Sequence, residues 1–154
     1  MTTTMRTVPV ADRLSAASAL QALLPELVAL SLQAKQAHWN VTGPGFLPIH
    51  ELTDRIAADA RAWADRVAER AVAVGFSVDG RPGTVSTATG PFPAGWVRDH
   101  EVVSELSKLI EGVAMRARSS LAELDRADPV AASLVLEVLE GLEKHHWMLE
   151  AQTL

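Results

Sequence analysis

The sequence predicts an all-α chain, a four-helix bundle with a long crossover between its second and third helices. Apolar residues recur at helical spacing in four long segments, and no strand-like alternation or internal repeat persists anywhere. The breaks set the connectivity: two are short and rich in turn residues, while the middle one is long and weakly patterned.

The first segment spans roughly Val10 to His38, with Leu20, Leu23, Leu24, Leu27, Leu30 and Ala34 on one stripe. Pro25 lies inside it, and an interior proline costs about 3 kcal/mol, so this helix either bends there or starts nearer Leu24. Asn40-Val41-Thr42-Gly43-Pro44-Gly45 then breaks the pattern. A second helix is expected to open at Pro48, a good first-turn residue, and to run through Ile49, Leu52, Ile56, Ala60, Trp63, Val67 and Ala71 to Gly75. The link Ser77 to Gly95 can carry the chain back along a bundle, with a short helix expected near Val85 to Thr89. The third helix covers about Asp99 to Asp125, and the fourth starts with Asp128 as cap and Pro129 as first residue, ending near Glu150. Residues 1–9 are read as a short tail and 10–154 as one domain. Short loop, long crossover, short loop is the order of ferritin-like bundles.

Composition narrows the function. With 48% hydrophobic and 21% charged residues among 154, this is the profile of an ordinary globular domain large enough to bury a core. The absence of cysteine excludes a disulfide framework, thiolate zinc sites and cysteine catalysis. No uninterrupted apolar run approaches the ~20 residues of a membrane span and no leader is evident, so a cytoplasmic protein without membrane partners is expected. Formal charge is −5, and no basic tail is present at either end, so direct DNA binding is not expected.

Five residues stand out by type and spacing: His38, His50, Asp54, Asp65 and Glu69. His50/Asp54 and Asp65/Glu69 are each four apart on the second helix, which puts each pair on adjacent turns of one face. At ~100° per residue all four positions share one side. The eleven residues from Asp54 to Asp65 rise ~16 Å, whereas ligands of one ion lie within ~2.5 Å of it. One chain therefore cannot close this site. Two copies packed antiparallel about a two-fold axis would bring the His50/Asp54 end of one to the Asp65/Glu69 end of the other, and would make the site twice. His38, just before the turn, can add a further imidazole. A histidine and carboxylate set without thiolate suits iron, manganese or zinc. The rival reading is a solvated face whose acids pair with Arg55, Arg61, Arg66 and Arg70.

These same residues carry a resemblance. His38-Trp39-Asn40-Val41-x-Gly43-x-x-Phe46-x-x-x-His50-x-x-x-Asp54, followed by Asp65-x-x-Ala68-Glu69-Arg70, resembles the signature of the Dps family, the DNA-binding proteins from starved cells. Gly80-Arg81-Pro82, Asp128-Pro129-Val130 and Leu142-Glu143-Lys144-x-x-Trp147-Met148-Leu149 extend it over nearly the whole chain. The resemblance implies a hollow homo-dodecamer that oxidises Fe(II), usually with hydrogen peroxide, at di-iron ferroxidase centres and stores a ferric mineral core. It also implies that His38, His50 and Asp54 bind iron from one subunit, and Asp65 and Glu69 from its two-fold mate. Lysine-rich tails that bind DNA in some members have no counterpart, and twelve copies at −5 each would carry about −60. Acidic pores are common in the family. Ser133 replaces one such acid, and Asp128 and Glu137 are candidates for iron entry, with a helix cap and a surface acid as the alternatives.

Trp39, beside His38, is the candidate electron relay among Trp39, Trp63, Trp96 and Trp147; core or interface packing is the alternative for all four. His100, His145 and His146 are read as surface or capping residues. Glu143-x-x-His146 matches the motif of single-chain di-iron bundles, but it has no second copy and sits at the end of its helix. An iron-sequestering or DNA-compacting shell without turnover, and a single-chain di-iron ferritin, are the competing functions.

Overall fold

The computed structural model describes residues 8–152, and the first seven residues of the expected tail lie outside them. Four long helices carry the chain: α1 (Val10–Asn40), α2 (Phe46–Ala73), α4 (Asp99–Ala127) and α5 (Pro129–Glu150), with a five-residue α3 (Pro82–Ser86) inside the crossover. Helix α1 packs against α2 and α4, and α5 against α4 and α2. Its buried stripe of Leu20, Leu23, Leu24, Leu27, Leu30, Ala34 and Ala37 forms one side of a single apolar core. Pro25 does not delay the start, because the helix runs from Val10 straight through it, with Pro25 buried. By length and composition α1 resembles a membrane span, but 61% of its most apolar stretch is inside the bundle. Glu26, buried on the same helix, meets Arg116 of α4; burial raises its pKa while the guanidinium pulls it back.

Several elements differ from expectation for local reasons. Helix α2 opens at Phe46, two residues before Pro48, because Gly43 (φ 125°) turns the chain sharply and the Phe46 and Ile49 amides already donate to the Gly43 and Gly45 carbonyls. Pro48 then sits in a first turn, where its missing N–H costs nothing. Helix α3 begins at Pro82, ahead of the expected Val85, with the Thr84 and Val85 amides closing on the Arg81 carbonyl. A strand pair was not expected: β1 (Val41–Thr42) and β2 (Val97–Arg98) form a parallel ladder in the register Val41 with Val97 and Thr42 with Arg98. Two residues are too few to show alternation, yet Val41 and Val97 are 2% and 3% exposed.

Side-chain amides of α1 moor the crossover. Gln21 bonds both backbone groups of Asp79, at 2.8 and 3.0 Å, and Gln33 Nε2 donates to Thr89 Oγ1 and the Gly90 carbonyl, both at 2.7 Å. The Arg81 guanidinium and Thr84 hydroxyl both bind the Asp79 carboxylate and hold its pKa far below the ordinary range.

Helices α2 and α5 run antiparallel and touch in four rungs: Arg70 with Asp128, Arg66 with Glu137, Trp63 with Gly141, and Asp59 with His145. The third rung needs a glycine, since a methyl group at 141 would collide with the Trp63 indole. Alanine normally favours a helix by about 1 kcal/mol over glycine. Gly141→Ala is nevertheless expected to lose about 1–3 kcal/mol through overpacking, read as a lower urea midpoint.

Candidate metal centre

The face of α2 turned away from the core carries Asp54, Asp65 and Glu69, all exposed, with His50 half-buried at its N-terminal end. The apolar spacing of Leu52, Ile56, Ala60, Ala64 and Val67 forces this, because it buries the opposite side. Of the arginines offered as partners for these acids, Arg66 turns to Glu137 on α5 and Arg70 to Asp128 at its cap, and neither Arg55 nor Arg61 forms an ion pair with them among the described residues. Asp65 and Glu69 make no hydrogen bond or ion pair among the described residues. Glu69 lines a surface hollow of about 400 Å³ with Arg66, Arg70, Ser133 and Glu137. A face of acids neutralised by neighbouring arginines is therefore not what the structure shows.

The two histidines face each other across the α1–α2 turn. His38 Nδ1–H donates to the His50 carbonyl and His50 Nδ1–H to the His38 carbonyl, each at 2.8 Å, with the rings stacked 3.7 Å apart at 20°. A carbonyl can only accept, so both Nδ1 atoms carry protons, and in the neutral ring each Nε2 keeps its lone pair for a metal. That is how a protein presents imidazole to a metal, with the second nitrogen anchored to fix the tautomer. Phe46 stacks on the His50 ring at 5.0 Å, and Thr53 Oγ1 donates to the His50 carbonyl at 3.0 Å.

Asp54 is held by Lys35 from α1, Nζ to Oδ1 2.6 Å, and this hydrogen bond pulls its pKa below the usual carboxylate value. The same ammonium sits 5.7 Å from the centre of the Trp39 ring. Trp39 is 64% exposed, and Trp96 and Trp147 are 79% and 65% exposed, so only Trp63 packs as a core tryptophan. Among the described residues, no three His, Asp or Glu side chains of one chain converge as a metal site.

Asp128, a candidate for iron entry, serves as the cap of α5. It is 4% exposed, its oxygens accept the Val130 and Ala131 amides as the cap of α5, and both oxygens bind Arg70. Glu137 is exposed but paired with Arg66 at 2.7 Å, which lowers its pKa. His145 is not at the surface: it is 5% exposed, its Nε2 lies 2.7 Å from Asp59 Oδ2, and its Nδ1 is buried without a partner. The sequence singles out neither Asp59 nor, beyond its place at a helix start, Asp99. Asp99 Oδ2 accepts the Gly45 amide at 2.7 Å and Oδ1 the His100 amide at 2.9 Å; these backbone donors hold its pKa down.

Comparison with known proteins agrees over almost the full length. Residues 17–153 match the Ferritin family, described as a ferritin-like domain. The chain is 36% identical to DNA protection during starvation protein 2 of Deinococcus radiodurans, over 97% of its own length and 63% of that protein's, so it spans under two thirds of this relative. It is 33% identical to the DNA protection during starvation protein of Agrobacterium fabrum, covering 83% of this chain and 81% of the relative. The solved structure of Dps from Microbacterium arborescens in the high iron form superposes with a TM-score of 0.91 at 32% identity, covering 96% of this chain and 97% of that one.

Proposed function

The chain belongs to the Dps family of ferritin-like proteins, and from that premise we propose that it is a ferroxidase that takes up Fe(II), oxidises it between two subunits and stores the ferric product. One observation carries this reading: one face of α2 bears His50 and Asp54 near its start and Asp65 and Glu69 ~16 Å further on, with His38 of α1 stacked on His50 and no ion pair to Asp65 or Glu69 among the described residues.

Two copies of α2 packed antiparallel would set His50 against the partner's Glu69 and Asp54 against the partner's Asp65. The same register lays Leu47, 59% exposed, over the partner's Val72, 49% exposed at its own position, so the apolar ends cover each other. His38, His50 and Asp54 would then bind iron from one side, and Asp65 and Glu69 from the other. The carboxylates offset the added charge as Fe(II) becomes Fe(III), and the imidazoles set affinity. Lys35 must release Asp54 when a cation enters. With hydrogen peroxide as oxidant, two ferrous ions give one electron each, the O–O bond takes both, and two protons complete two waters. Trp39, next to His38 in the sequence, would give an electron when only one ferrous ion is bound. We assign iron entry to neither Asp128 nor Glu137 alone, since arginines already meet both charges.

A shell of twelve chains in the cytoplasm is part of the same proposal. The relatives are named for protecting DNA; with formal charge −5 this chain would do so by removing ferrous iron and peroxide rather than by coating the duplex. The test is metal content measured beside assembly size. Iron or cobalt(II) should leave as chains separate on dilution, because a shared site needs both halves. A monomer that keeps its metal would overturn the two-chain reading.

A further inference from the structure

Resting on that assignment of His38 and His50, we propose that Asp99 is a positioning residue for the metal centre: from the head of α4 it clamps the turn that sets the spacing of both imidazoles. The reciprocal ring-to-carbonyl bonds join the last turn of α1 to the first turn of α2, so both need those helix ends at one separation. The turn between them is tied to β2 and the head of α4 by the ladder of Val41 and Thr42 with Val97 and Arg98, by the Thr42 hydroxyl on the Val97 carbonyl at 3.2 Å, and by the Asp99 carboxylate.

That carboxylate does two things at once. One oxygen draws in the Gly45 amide while the other is anchored to the His100 amide of its own helix. The group also fills the space beside Gly43, where a Cβ would lie 2.6 Å from Oδ2. Gly43 thus serves twice, since its φ of 125° also disfavours any side chain. An ionised acceptor for backbone amides is about twice as strong as a neutral one, which is why an anion here outperforms an amide. Asp99 itself touches no metal ligand; it acts through the turn.

Cobalt(II) titration and histidine nitrogen NMR, on Asp99→Asn, Asp99→Ala and Gly43→Ala, separate this role from general stability. Asp99→Asn should keep its helix content and assembly size. It should bind cobalt about 10-fold more weakly, the low end of what loss of an outer partner costs. The KM for Fe(II) should rise while kcat at saturation stays within about twofold, since every proposed iron ligand remains. In the metal-free protein the two Nδ1–H tautomers should give way to a mixture. Gly43→Ala should repeat this pattern with Asp99 intact. Folded variants with parental cobalt affinity and unchanged imidazole spectra would overturn the inference, and so would loss of assembly in all three. If cobalt binding by the parent ignores His38→Ala and His50→Ala, the functional assignment fails instead, and the tautomer spectra of the metal-free variants still decide the role of Asp99.

Discussion

His50→Ala and Glu69→Ala are each expected to abolish fast ferrous oxidation, and an equimolar mixture of the two is expected to recover about a quarter of the parental sites. Each substitution removes a ligand from a different half of the proposed centre. Losing even an outer partner costs about 10- to 100-fold in affinity or activity, so losing a ligand should cost at least that. In a homodimer of either variant both sites are damaged. In a mixed dimer the imidazole side of the Glu69→Ala chain meets the intact acids of the His50→Ala chain, which rebuilds one site, while the other carries both lesions. Stopped-flow oxidation with peroxide and with dioxygen, after subunit exchange verified by mass spectrometry, reads the result. A mixture as slow as its components would show that the two residues do not meet across subunits.

Asp128→Ala should be the most damaging single change to stability among the polar residues. It removes a helix cap, worth about 1 kcal/mol. It also strands Arg70, whose side chain is 16% exposed and whose three hydrogen bonds to Asp128 run from 2.6 to 2.9 Å. Breaking a buried ion pair by deleting one member costs about 3–5 kcal/mol. Against a total of about 5–15 kcal/mol for a domain, that is a large share. Asp128→Asn keeps the cap acceptor and should lose less, and Arg70→Met combined with Asp128→Ala should regain part of the loss because no charge is left unpaired. Urea unfolding of the four proteins measures this, and an alanine variant within 1 kcal/mol of the parent would mean that Arg70 finds solvent or another acid.

The helices and the proposed ligands were legible because both depend on spacing within one segment. Leu20 to Ala34 on α1, the Asp128-Pro129 cap, and the two four-residue intervals on α2 are all local signals. What escaped depends on partners remote in the chain. Asp99 reaches an amide 54 residues away, and Arg70 an acid 58 residues away, so neither the turn clamp nor the burial of Asp128 leaves a periodic trace. His145 is a different failure. It lies on the stripe Val138, Leu142, His145, Leu149, all buried, so the period marked it as a core position and only its polarity argued for the surface. The strands were too short for any pattern, and three of the four tryptophans are exposed in the single chain, which leaves an interface rather than the core as their packing partner.

The parallel ladder between β1 and β2 bears on the order of events as the polypeptide collapses. Joining Val41 to Val97 closes a loop of some fifty residues, an entropic cost of roughly 3–4 kcal/mol. Two residue pairs cannot meet that cost unaided, so the ladder has to wait until α1, α2 and α4 are already docked. The end of the molecule that holds His38 and His50 is then expected to order after the helices dock, and a nascent chain would lack the proposed centre until its bundle is complete.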